Sequence, residues 1–139
     1  MIILDTNVLS ALMLHEPDAA VASWMDGQAR TSVWTTSLTI FEIRYGLALM
    51  PPGRRQQDRT SRFERTINEK LEQRVLPFDQ AAAEEAATLM TVRQRSGRTV
   101  ELRDTLIAGI ALAQRATLAT RNVRHFDDLR VPVVNPWDA

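Results

Sequence analysis

Asp5, Glu42 and Asp104 are the carboxylates whose setting points to chemistry, because each is attached to an apolar element. Asp5 follows Ile2-Ile3-Leu4 directly, and an apolar run that stops at Asp-Thr-Asn reads as a buried strand delivering a carboxylate to its tip. Glu42 falls in the row Leu38, Glu42, Tyr45, Leu49, spaced i, i+4, i+7, i+11, which places it in the apolar stripe of a helix. Asp104 opens the most apolar helix of the chain, Thr105 to Ala113. A carboxylate in such a place needs an arginine, a proton or a metal ion to offset its desolvation. Arg44 lies on another face of the Glu42 helix, so a partner for Glu42 must come from elsewhere in the fold. Structural roles stay open: Asp5 as the cap of a helix beginning near Val8, and Asp104 as a cap or first-turn acid. Three acids gathered at one place would repel each other. Mg²⁺ or Mn²⁺ resolves that repulsion by taking carboxylate oxygens while keeping waters and accepting substrate phosphates.

The elements that must position these acids alternate along the chain. Ile2–Leu4, Val33–Thr36, Arg74–Leu76, Thr117–Thr120 and Val131–Val134 read as strands separated by segments of helical period, which predicts an α/β fold with a parallel sheet. Pro17-Asp18 precedes Val21, Trp24 and Met25, a helix start, and Ser37 is placed to cap the Glu42 helix. Pro51-Pro52-Gly53 breaks the chain. Beyond it Phe63, Ile67 and Leu71 form an apolar stripe on a charged helix, and Asp79 caps a helix carrying Ala82, Ala83, Ala86, Leu89 and Met90 that stops at Gly97. With right-handed crossovers, the three acids share the carboxyl edge of the sheet near the point where strand order reverses.

Composition narrows the chemistry. The absence of cysteine excludes a disulfide framework, a zinc-thiolate site and a cysteine nucleophile, so any metal must use oxygen or histidine. Lys+Arg and Asp+Glu are both 17, leaving no whole-chain field to draw in a polyanion. Of those 17 cations only Lys70 is not arginine, a skew that favours planar contact with phosphate and that a GC-rich genome would also produce. Arg54 to Arg74 carries mixed signs and reads as a solvated helix face. The longest apolar run, Leu106 to Ala113, is too short to span a bilayer, and the expectation is a single domain over residues 1–139 in the cytoplasm.

Taken together, Asp5-Thr6-Asn7 after an apolar strand, Ser37-x-x-x-x-Glu42-x-x-x-Gly46, Asp104-x-x-Ile107-Ala108 and Thr120-Arg121-Asn122-Val123-Arg124-His125-Phe126 resemble a PIN domain, and within it the VapC-type toxins of VapBC toxin–antitoxin pairs, in the style of the FitB subgroup. The resemblance covers essentially the whole chain. It implies a three-layer fold with a five-stranded parallel sheet flanked by helices, a homodimer, Mg²⁺- or Mn²⁺-dependent endoribonuclease activity, and a VapB-type antitoxin that blocks the site. It makes Asp5, Glu42 and Asp104 the acidic triad and metal ligands. Asn122 falls where many members carry a fourth acid, a departure that would weaken a second metal site in the absence of RNA. The reaction implied is hydrolysis of an RNA phosphodiester.

Around that triad, Thr6, Asn7 and Thr120 stand as supporting residues, with backbone capping the alternative use of the two hydroxyls. Arg121, Arg124 and Arg103, together with Arg93, Arg95 and Arg98, are candidates for holding RNA, or else ordinary surface arginines. Asp127 and Asp128 are expected in solvent, Glu101 on an arginine, and His125 in a loop without a catalytic part. Trp34 and Met50 look exposed and are the apolar residues that a dimer would cover. An inhibitor suited to such a site would insert an arginine among the acids. Two other readings compete: a PIN-like binding module without hydrolysis, and a phosphotransferase in which Asp5-x-Asn7 serves as a partial Asp-x-Asp motif.

Overall fold

A computed structural model describes residues 1–139. Strand β1 (Ile2–Leu4) lies at the centre of a five-stranded, all-parallel sheet of order β3-β2-β1-β4-β5, with β2 at Val33–Thr36, β3 at Val75–Leu76, β4 at Thr117–Ala119 and β5 at Val133–Val134. All five expected strands are present, with the last three trimmed at their ends. Because side chains alternate across a strand, Ile3 and Leu118 face one side while Leu4 and Ala119 face the other, and each side has its own apolar core. This explains the unbroken apolar run of β1: a central parallel strand has no solvent face.

Helices α1 (Thr6–Leu12) and α2 (Ala19–Asp26) cover the Leu4 side. They are joined there by Ile43 of α3 (Ser37–Leu49), Phe63 of α4 (Arg54–Arg65), and Ile67 and Leu71. Ile67 belongs to a wider π-helical turn, Thr66–Lys70, and Leu71 closes it with its N–H on the Thr66 carbonyl at 3.0 Å. Helices α5 (Gln80–Arg95) and α6 (Leu102–Gln114) cover the other side. They approach closely at Gly109, where a Cβ would fall 2.6 Å from the Ala82 carbonyl oxygen and 2.7 Å from the Ala86 Cβ. No helix is long and apolar enough to cross a membrane.

Two local expectations are corrected. Thr36, not Ser37, caps α3: its hydroxyl accepts the Thr39 N–H at 3.2 Å, because the extended cap backbone falls on the last residue of β2. The face of α3 that packs inward carries Thr39 and Ile43, which leaves Tyr45 and Leu49 exposed together with Phe41. Glu42 therefore stands at the border between core and rim, not inside an apolar stripe. Trp34 and Met50 are partly buried.

Candidate active site

Strand order reverses between β1 and β4, and Asp5 occupies the carboxyl end of that seam. The side chain is almost fully buried, with the residue 4% exposed, and its bonds are fixed from three sides. One oxygen accepts the Thr6 N–H at 2.8 Å and caps α1; the other accepts the Thr120 hydroxyl at 2.8 Å across the seam, with the Asn7 amide at 3.5 Å. Capping and a site role are therefore one arrangement. Burial pushes the Asp5 carboxyl above its ordinary range; the Thr120 and Thr6 hydrogen bonds pull it down, and the negative charge of Asp104 raises it further. The loop after β4 is tied to the same point, since the Arg121 N–H donates to Asn7 Oδ1 at 3.1 Å and the Asn122 N–H to the Thr120 hydroxyl at 3.1 Å.

Glu42 approaches from α3, three residues beyond Thr39, whose hydroxyl meets that of Thr6 at 3.1 Å. Burial raises its carboxyl, Arg103 is the strongest opposing influence, and the charges of Asp5 and Asp104 raise it again. The partner required from elsewhere in the fold is thus Arg103, whose Nη1 donates to Glu42 Oε2 at 3.0 Å. Asp104 lies in the first turn of α6 and meets His125 Nδ1 at 2.6 Å. Glu101 sits 3.7 Å from Arg103, in keeping with an arginine partner.

The three acids therefore share one rim and sense each other's charge, but each also has company of its own. No three acidic or histidine side chains stand close enough to enclose a metal ion as they are, because Glu42 is drawn to Arg103 and Asp104 to His125. The Arg103 and His125 side chains are both exposed. The donor set itself, hard oxygens in a field that makes ionisation costly, fits Mg²⁺ or Mn²⁺ with retained waters, and Asp5 is held in place ahead of any ligand.

Several candidate residues turn out otherwise than their sequence positions indicate. Arg93 is not available to RNA: it is 2% exposed and uses its whole fork internally. Nε and Nη2 grip both oxygens of Asp128 at 2.8 Å, Nη2 also reaches the His125 carbonyl at 2.7 Å, and Nη1 the Thr105 hydroxyl at 3.1 Å. Asp128 is accordingly a structural partner, its carboxyl pulled below the usual range by Arg93, and not a solvent acid. His125 is more than a loop residue, since its ring meets the Asp104 carboxylate; the pairing of residues 21 apart leaves no periodic mark in the sequence. The Asn122 side chain makes no hydrogen bond to any of the acids; its backbone does the holding, the N–H on the Thr120 hydroxyl and the carbonyl accepting the His125 N–H at 3.0 Å.

Arg98 bonds Asp127 and the Arg124 carbonyl, and with Thr99, Glu101, Asp104, Arg124 and His125 it lines a cleft of about 410 Å³ beside the acids. On the opposite side of the seam, the Arg121 guanidinium lies over the Trp137 ring, 4.7 Å from its centroid.

The chain is similar to known proteins over its full length. The VapC ribonuclease Y4jK of Sinorhizobium fredii is 39% identical over 138 residues, 99% of each chain. The toxin FitB of Neisseria gonorrhoeae is 33% identical over 137 residues, again 99% of each. The crystal structure of FitAcB from Neisseria gonorrhoeae superimposes with a TM-score of 0.89 at 32% identity, covering all of both chains. The model of the PIN domain matches residues 2–131, and with the five-stranded parallel sheet and the full-length likeness to such proteins, the chain belongs to the PIN domain family.

Proposed function

We propose that the protein is the toxin of a toxin–antitoxin pair and acts as a Mg²⁺- or Mn²⁺-dependent endoribonuclease in the cytoplasm, where its substrate is found. The observation that carries this reading is the rim on which a buried Asp5, a raised Glu42 and Asp104 press their charges on one another while arginines border them on both sides. Asp5 and Asp104, with Glu42 as ligand or outer partner, would hold the ion. When bound, it supplies an acidified water and offsets charge on the phosphate and leaving oxygens. The chain's own residues do the positioning. Thr120 and the Thr6 N–H fix the Asp5 carboxylate, Arg93 fixes the segment that carries His125, and Arg121, Arg124 and Arg98 are placed to hold the RNA backbone. An antitoxin would shut this site by inserting an arginine among the acids.

Cleavage of a fluorescent single-stranded RNA in Mn²⁺ is expected, with loss of about 100-fold or more in Asp5→Asn or on chelation. Cleavage indifferent to both would remove the reading. The Asn122 side chain's isolation from the acids favours a second reading, a PIN-like binding module; RNA binding without Mn²⁺-dependent cleavage by the wild type would establish it.

A further inference from the structure

Arg103 is the one cation that grips an acid of the site from across two helices. It is the second residue of α6, next to Asp104, and its guanidinium crosses to α3 to bond Glu42 at 3.0 Å, with Glu101 at 3.7 Å on its other side. The two partners differ in exposure: the Arg103 side chain is 57% exposed, that of Glu42 16%. An arginine mostly in water is held weakly and can leave, whereas a carboxylate mostly out of water stays ionised only with a cation beside it. Arg121, at the far side of the seam, makes no such contact, since its guanidinium rests on Trp137.

We propose that Arg103 is an exchangeable counterion: it occupies Glu42 in the metal-free protein, gives Glu42 up to a divalent cation, and then holds a phosphate of the RNA beside Asp104. The proposal rests on the metal-dependent nuclease reading and adds a coupling to it. Metal and Arg103 compete for the same carboxylate, so Arg103 weakens metal binding. The released guanidinium stays at the rim, because Arg103 adjoins Asp104 in the first turn of α6, so metal binding creates a phosphate contact that the metal-free protein lacks. Divalent cation and RNA then favour each other's binding by the same factor. Arg103 is in this sense a positioning residue whose place depends on the state of the site.

The test is a calorimetric Mn²⁺ titration of the intact protein, its Arg103→Gln and Arg121→Gln variants, and Arg103→Lys, with single-stranded RNA binding followed by anisotropy in Ca²⁺ and without any divalent cation. Arg103→Gln is expected to bind Mn²⁺ about fivefold more tightly, while Arg121→Gln, the same change of net charge, shifts it by less than about twofold. Arg103→Lys should return toward the wild-type value. RNA binding by Arg103→Gln should weaken about tenfold in Ca²⁺, with a shallower salt dependence, and match the wild type without divalent cation. Three results would overturn the exchange while leaving the nuclease reading standing: equal Mn²⁺ affinity in wild type and Arg103→Gln, an equal gain in Arg121→Gln, or the same loss of RNA affinity with and without Ca²⁺. Mn²⁺ uptake by none of the four proteins would overturn the nuclease reading, and the exchange with it.

Discussion

Asp5 is a carboxylate kept at a cost. Its folded-state value is raised, so the folded protein holds a proton there more firmly than the unfolded chain does. Stability from this group is therefore full at acid pH and declines as pH climbs from the ordinary carboxylate value through the raised one, and Glu42 acts in the same direction. Replacing the acid by an isosteric amide keeps the cap on α1, because asparagine caps as well as aspartate. In metal-free protein at neutral pH, Asp5→Asn should raise the melting temperature by about 3–5 °C, equivalent to about 1 kcal/mol, and the gain should fade toward pH 4. Mn²⁺ should raise the melting temperature of the wild type by a similar amount, and that of Asp104→Asn by less. Differential scanning calorimetry across pH checks both, and a wild-type curve unmoved by saturating Mn²⁺ would contradict the site. Of the residues concerned, Asp5 was legible because a sharp end to an apolar run marks a strand tip. The Asp104–His125 and Glu42–Arg103 pairs were not, since contacts 21 and 61 residues apart carry no local period.

Among the elements, α5 and α6 set the position of Asp104, and two features lock them. Gly109 permits the approach: a methyl there would meet backbone at 2.6 Å, which cannot yield as a flexible side chain would. Gly109→Ala should cost about 2–3 kcal/mol and lower the melting temperature by about 8 °C, although alanine is the better helix former. An unchanged melting temperature would mean that the helices can part without loss. Arg93 is the second lock, joining α5 to Thr105 of α6 and to the turn of His125 and Asp128. Arg93→Ala would strand Asp128, whose side chain is about a quarter exposed, so the loss should be about 2–3 kcal/mol and not the larger figure of a fully enclosed pair. Because Arg93 depresses the Asp128 carboxyl, the stability it lends is present above the ordinary carboxylate value and lost as pH falls below it; in Arg93→Ala that acid limb of the unfolding profile should flatten. Helix periods and turn residues made these elements visible in the sequence. What the period could not give was the orientation of α3, where two stripes compete: Thr39 and Ile43 win the core because the Thr36 cap fixes the helix's rotation, leaving Phe41, Tyr45 and Leu49 outside.

At the scale of the whole molecule, that outer row of α3 carries Phe41 stacked on Tyr45, ring centroids 6.1 Å apart, followed by Leu49. Apolar side chains in such a row are what a homodimer would cover, in place of the partly buried Trp34 and Met50. A Tyr45→Glu, Leu49→Glu double variant should be monomeric by light scattering at micromolar concentration while its melting temperature stays within about 2 °C of that of the wild-type monomer. A wild type that is itself a monomer, or a variant that remains a dimer, would place the interface elsewhere or remove it. The central place of β1 has a consequence for how the protein is made. Its neighbour β2 is synthesised soon after it, but the other, β4, comes late, and Thr120 directly after it follows Asp5 by 115 residues. Until then one edge of β1 has no strand beside it and Asp5 lacks its hydroxyl donor. A nascent chain leaving the ribosome thus carries acids but no assembled site, so translation itself postpones the moment at which the product can touch RNA.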